Sequence, residues 1–137
     1  MTAPVFVDTN VLIYADDKAV PAKRKQAQEL IEEVFRDGNG WLSIQVLQEY
    51  FAVATKKLGL DAEFARRRVE LYSQMEVATV SAADVLAAID LHRLYQFSIW
   101  DALIVRAALI AGCRKLYSED LQTSFRIERL EIVNPFR

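Results

Sequence analysis

Val5-Phe6-Val7-Asp8-Thr9-Asn10-Val11-Leu12-Ile13-Tyr14 carries the first structural decision in the chain. Three apolar, β-prone residues with no polar alternation read as a strand buried on both faces, the kind that parallel sheets contain. The run stops at an acid, and Asp8, Thr9 and Asn10 all suit a helix N-cap before the apolar residues that follow. Outward from this stretch, short β-rich runs alternate with longer helical ones. Strands are predicted over residues 5–7, 41–44, 77–80, 116–118 and 130–133. Helices are predicted over 22–36, 45–57, 62–75 and 81–95, with a last one opening at Ser98 and closing at Gly112. Strands separated by helices need crossover connections, so the expected fold is α/β, a five-stranded parallel sheet flanked by helices on both faces.

The chain has 137 residues and is 53% hydrophobic, enough for one core and one domain spanning residues 1–137. One cysteine (Cys113) excludes an internal disulfide, and one histidine (His92) argues against tetrahedral His/Cys zinc sites. Four glycines form neither G-x-G-x-x-G nor a P-loop. The most apolar run, 102–113, contains Arg106 and is too short to span a bilayer, and no basic residue precedes Lys18. The expectation is a cytoplasmic protein with no membrane partner. A net charge of −2 argues against a general basic coating, though not against local basic patches. Chemistry on this chain therefore falls to carboxylates.

In a parallel sheet, ligand sites form at the carboxyl ends of strands where the strand order reverses. Asp8 follows the first predicted strand and Asp120 the fourth. As ordinary structural residues, Asp8 is a helix cap and Asp120 a turn acid. Glu49 lies on the 45–57 helix, whose buried face is predicted to comprise Val46, Leu47, Tyr50, Phe51 and Val53. Glu49 falls on the shoulder of that face, where a glutamate can be simply solvated. Asp101 starts a helix that is otherwise apolar on every side except Arg106, and such a helix is expected to be buried. A carboxylate there must be paired, hydrogen-bonded or metal-bound. Ser98-x-x-Asp101 also fits a capping box, and Ser81-x-x-Asp84 repeats that spacing one helix earlier. Asp84 is read as a cap and Asp101 as a ligand. Glu119, next to Asp120, points another way and is the weaker candidate.

Carboxylates gathered at one end of a sheet repel by about 4 kcal/mol per pair at ~4 Å and an effective dielectric near 20. Protons or a cation must neutralise them. Oxygen ligands without His or Cys favour Mg²⁺ or Mn²⁺, an ion able to activate water and neutralise a phosphodiester oxygen.

Val-Asp-Thr-Asn-Val-Leu-Ile-Tyr (7–14), Gln-Val-Leu-Gln-Glu-Tyr (45–50), Trp-Asp-Ala-Leu-Ile-Val (100–105) and Leu-Tyr-Ser-Glu-Asp-Leu (116–121) together resemble the successive motifs of PIN-domain ribonucleases. The likeness extends over the whole chain to Ile-Val-Asn-Pro-Phe (132–136) and is nearest to the single-domain VapC-type toxins of toxin–antitoxin pairs. It implies an endoribonuclease dependent on Mg²⁺, with Mn²⁺ as a substitute, that leaves 5′-phosphate and 3′-hydroxyl ends. It also implies a homodimer neutralised by a VapB-like antitoxin. Asp8, Glu49, Asp101 and Asp120 match the four acidic positions of the family. Thr9, Asn10 and Ser118 match its small polar supporting positions, and are equally suited to capping and turns. Relatives often carry glycine near Ser124 and Arg129, which marks a departure in the last loop.

An RNA substrate calls for cations, and Lys23-Arg24-Lys25, Lys56-Lys57, Arg66-Arg67-Arg68 and Arg114-Lys115 are the available clusters. Two other classes remain open. A phosphoryl-transfer or receiver domain also gathers acids at a sheet end, but the haloacid-dehalogenase-like second Asp is replaced by Asn10. A receiver's acidic pair after strand one and lysine near strand five are both missing. A non-catalytic RNA- or protein-binding module on the same fold would share every motif.

Overall fold

The three apolar residues of the opening motif form β1 (Val5–Val7), buried along its whole length. Asp8 ends the strand and, in extended conformation, caps the short helix α1 (Thr9–Tyr14). The computed structural model describes residues 2–121 and 125–137, so Ser124 lies outside the described residues. Helix α2 (Pro21–Asp37) has proline at its start, where a missing N–H costs nothing, and ends at Gly38 in the left-handed region. Strand β2 (Gly40–Ser43) follows. Its first residue must be glycine, since a Cβ there would lie 2.2 Å from a Val34 methyl carbon. Ser43 leaves β2 and caps α3 (Ile44–Lys56), with no loop between strand and helix. Then come α4 (Ala62–Tyr72), β3 (Glu76–Ala78), α5 (Ala82–Tyr95), α6 (Ile99–Ile110) and β4 (Lys115–Tyr117). The chain ends with β5 (Arg126–Ile127) and β6 (Leu130–Val133).

The sheet order is β3-β2-β1-β4-β6-β5. The five predicted strands are all present and pair in parallel. The sixth, β5, adds an antiparallel edge through a hairpin with β6. Two residues are too short for a periodic signal, which explains why the sequence did not announce it. The hairpin turn places Glu128 in the left-handed region (φ 55°), a position that glycine favours, directly before Arg129. From β1 the chain builds outward through β2 and β3, then returns to place β4 on the other side of β1. The order therefore reverses between β1 and β4, and the crevice between their carboxyl ends is the position where such sheets bind ligands.

Two predicted faces differ from the observed ones. On α3 the buried stripe is Val46, Tyr50 and Ala54, whereas Phe51 is exposed. Tyr50 is drawn inward because its hydroxyl donates to Asp16 at 2.6 Å. On α6 the apolar surface is not wholly covered: Ala102, Ile104, Val105, Ala107 and Ala108 are buried, but Trp100 is 63% exposed. Small and branched residues fill the contact with the sheet and α5, leaving the largest side chain outside. No helix of the described residues is long and apolar enough to cross a membrane.

Candidate active site

A cavity of about 440 Å³ opens over the carboxyl ends of β1 and β4. Asp8, Glu49, Asp101 and Asp120 all line it, together with Thr9 and Asn10. Four segments far apart in sequence supply these acids: the end of β1, the middle of α3, the first turn of α6 and the turn after β4.

Asp8 is 4% exposed and sits deepest. Its Oδ1 accepts the Thr9 amide at 2.7 Å, and its Oδ2 accepts the Ser118 hydroxyl at 2.7 Å. Burial pushes its carboxyl up to about 7, against the pull of those two bonds and aided by the charges of Asp101 and Glu49. Glu49 is half-buried, and its Oε1 accepts the Thr9 hydroxyl at 2.8 Å. Asp101 is raised above the ordinary carboxylate range, first by burial, opposed by the Ser98 hydroxyl, then by the charges of Asp120 and Glu49. Asn10 acts as a hub across the switch point. Its amide donates to Asp120 at 3.1 Å and lies 3.4 Å from the Ser118 hydroxyl and 3.5 Å from Asp8, while its oxygen accepts the Glu119 amide at 3.2 Å. Thr9, Asn10 and Ser118 thus each donate to an acid of the cavity, while the cap of α1 is Asp8 itself.

Among the described residues, none of these four acids is ion-paired with a lysine, arginine or histidine. Nor do any three His, Cys, Asp or Glu side chains of the described residues stand close enough to form a ready metal cage. The acids share a cavity, with Glu49 bonded by the Thr9 hydroxyl and Asp120 by the Asn10 amide. Glu119 is turned away from them: Lys23 and Tyr14 both donate to its carboxylate. Although burial opposes it, these bonds hold Glu119 below the usual range.

The basic clusters divide by location. Lys57 lines the cavity. Lys23 is engaged by Glu119, and Arg68 binds Asp16 through both its Nε (3.3 Å) and Nη2 (3.0 Å). Arg114 and Lys115 stand at the start of β4, the opposite end of the sheet from the acids, so that cluster does not border the cavity. The sequence reading missed Gln45, whose amide donates to Glu49 at 3.2 Å; its place one helical turn before Glu49 was the available signal.

A mostly parallel α/β sheet with an acid-lined cavity at its switch point defines the class of this protein. The family is shown by its sequence: the PIN domain profile matches residues 5–127, and the chain belongs to the PIN domain family. Solved structures share the fold. VapC20 of Mycobacterium tuberculosis, a sarcin–ricin loop cleaving toxin, superposes with a TM-score of 0.68 at 20% identity, covering 85% of this chain and 89% of its own. A toxin–antitoxin complex from Klebsiella pneumoniae gives 0.72 at 20% identity, covering 96% and 97%. VapBC2 from Rickettsia felis, bound to a DNA fragment from its promoter, gives 0.66 at 21% identity, covering 93% and 96%. No curated protein sequence matches the chain.

Proposed function

We propose that this protein is an endoribonuclease that hydrolyses RNA phosphodiester bonds with the help of Mg²⁺ or Mn²⁺, acting as the toxin of a toxin–antitoxin pair. One observation carries the reading: Asp8, Glu49, Asp101 and Asp120 line one cavity at the switch point with no cationic side chain of the described residues paired to them. The donor set, all oxygen, suits a hard divalent cation. Such an ion keeps several waters and can be bound through one or two carboxylates. Asp8 and Asp101 would hold it, with Glu49 and Asp120 completing the site. A divalent ion bound there supplies an activated water and charge neutralisation on the scissile phosphate.

The chain's own residues orient and exclude. Ser118 and the Thr9 amide fix Asp8, Thr9 fixes Glu49, and Asn10 fixes Asp120. Lys57, on the cavity wall, would meet the RNA backbone. A VapB-like antitoxin partner is supported by the fold shared with toxins in VapBC complexes. A homodimer is supported by exposed Leu86, Leu94 and Trp100 on α5 and α6, apolar surface of the kind that a partner covers. A cytoplasmic location belongs to the same reading.

The test is incubation of the purified chain, free of any antitoxin, with tRNA, mRNA and a sarcin–ricin loop RNA in Mg²⁺. Cleavage to 5′-phosphate and 3′-hydroxyl ends is expected, lost on EDTA addition and in Asp8→Asn. RNA left intact throughout, by protein that still binds it, would replace the enzyme with a non-catalytic binding module.

A further inference from the structure

Glu49 reaches the cavity from the side of α3 on a flexible side chain, so its position depends on what holds its two oxygens. One is held by Thr9, as described. The other accepts the side-chain amide of Gln45 at 3.2 Å. The same amide nitrogen donates to the backbone carbonyl of Trp100 at 3.1 Å. A glutamine amide carries two protons, and here each has its own acceptor. Trp100 directly precedes Asp101 in the first turn of α6. Among the described residues, this is the one side-chain hydrogen bond that joins α3 to α6. The bond to Glu49 is part-buried, and the bond to Trp100 is exposed. One side chain thus grips the carboxylate of one acid and the backbone beside another.

We infer that Gln45 is a positioning residue: it fixes the Glu49 carboxylate and sets its spacing from Asp101, and thereby the strength with which the cavity binds a divalent cation. The inference rests on the metal-dependent function proposed above. Residues that orient metal-binding carboxylates through hydrogen bonds typically change metal affinity by 10–100-fold when removed. Without Gln45, Thr9 holds one oxygen only, and the Glu49 carboxylate loses its tie to the backbone beside Asp101.

The experiment is a calorimetric titration of the metal-free chain with Mn²⁺ alone, for wild type, Gln45→Met and Gln45→Ala. Both replacements are good helix formers without a donor, and a melting curve without metal confirms that each is folded. Binding roughly tenfold weaker or more is expected in both. In a Glu49→Gln background, Gln45→Met should add no further loss, because the residue it positions is already altered. Unchanged affinity in either folded variant, or an equal loss in the Glu49→Gln background, would overturn the inference while leaving the nuclease reading intact. A wild-type chain that binds no Mn²⁺ would overturn both.

Discussion

Helices α5 and α6 begin with the same spacing, Ser81-x-x-Asp84 and Ser98-x-x-Asp101, and the structure puts the two acids to different uses. At α5 the capping box closes: Ser81 Oγ accepts the Asp84 amide at 3.3 Å, and Asp84 accepts the Ser81 amide at 3.0 Å. Arg106 then reaches from α6 to Asp84, with its Nη2 2.9 Å from the carboxylate. The Ser81 bond and then the Arg106 bond hold Asp84 below the ordinary carboxylate range. At α6 only the first half of the box forms, from the Asp101 amide to Ser98 Oγ at 3.1 Å. The Asp101 carboxylate faces other acids across the cavity, and the one arginine of its helix is committed to Asp84. A local pattern can declare a helix start. Only the tertiary surroundings decide whether the acid's charge is spent on that start or left uncompensated.

The largest expected effect breaks the pair apart. Asp101→Asn should reduce RNA cleavage more than about 100-fold, beyond the range for residues that merely orient ligands. Its melting temperature should stay the same or rise, since a repelling charge is removed. Asp84→Asn should leave cleavage intact and lower the melting temperature by a few degrees, through loss of the cap and of the Arg106 pair. The reverse pattern of activity and stability would invert the assignment of the two acids.

A smaller effect tests the uncompensated side by pH. The carboxyl of Asp8 rises from 3.8 in the unfolded chain to about 7 when folded. Across that window the folded state binds the extra proton, so the stability contributed is present below pH 4 and is lost as pH rises through 7. For the metal-free chain, denaturant unfolding should show a loss of roughly 2–3 kcal/mol between pH 5 and pH 8 that is absent from Asp8→Asn. Asp84 and Glu119 are shifted downward and contribute with the opposite sign, so the quantity to measure is the difference between wild type and variant. Equal pH slopes in the two proteins would mean that Asp8 is not strained by its burial.

The same contrast marks what the sequence made legible. Short β-rich runs between helical stretches located all five parallel strands, and the one ending at Asp8, covered on both faces, leaves the most continuous signal. Their order, and thus the adjacency of Asp8 and Ser118, was not written locally; it arises from β4 inserting beside β1. The family motifs named four acids that the fold brings to one cavity. They did not show that Glu119 is bound by Lys23 and Tyr14, which requires α2 and the turn after β4 to meet. Periodicity failed on α3 and α6 for related reasons. A hydrogen bond to Asp16 selected Tyr50 over Phe51 for burial, and Trp100 stays outside a contact made by alanines and branched residues. Gln45 escaped because an amide on a helix shoulder has no signature apart from its neighbours.

The smallest effect refines the comparison at the serines. Ser81→Ala and Ser98→Ala each remove an N-cap acceptor, and each should cost about 1 kcal/mol of stability. Their functional consequences should differ. Ser81 serves a carboxylate that Arg106 continues to hold, so cleavage should be unchanged at every pH. The Ser98 hydroxyl lowers the proton affinity of Asp101 against burial and two neighbouring acids. Without it, Asp101 keeps its proton to higher pH, and a protonated carboxyl is a poor partner for a cation. Ser98→Ala should therefore shift the acidic limb of the cleavage profile upward while leaving the plateau near wild type. An acidic limb unmoved in Ser98→Ala would reduce the serine to a helix cap, and with it the distinction between the two helix starts would rest on Arg106 alone.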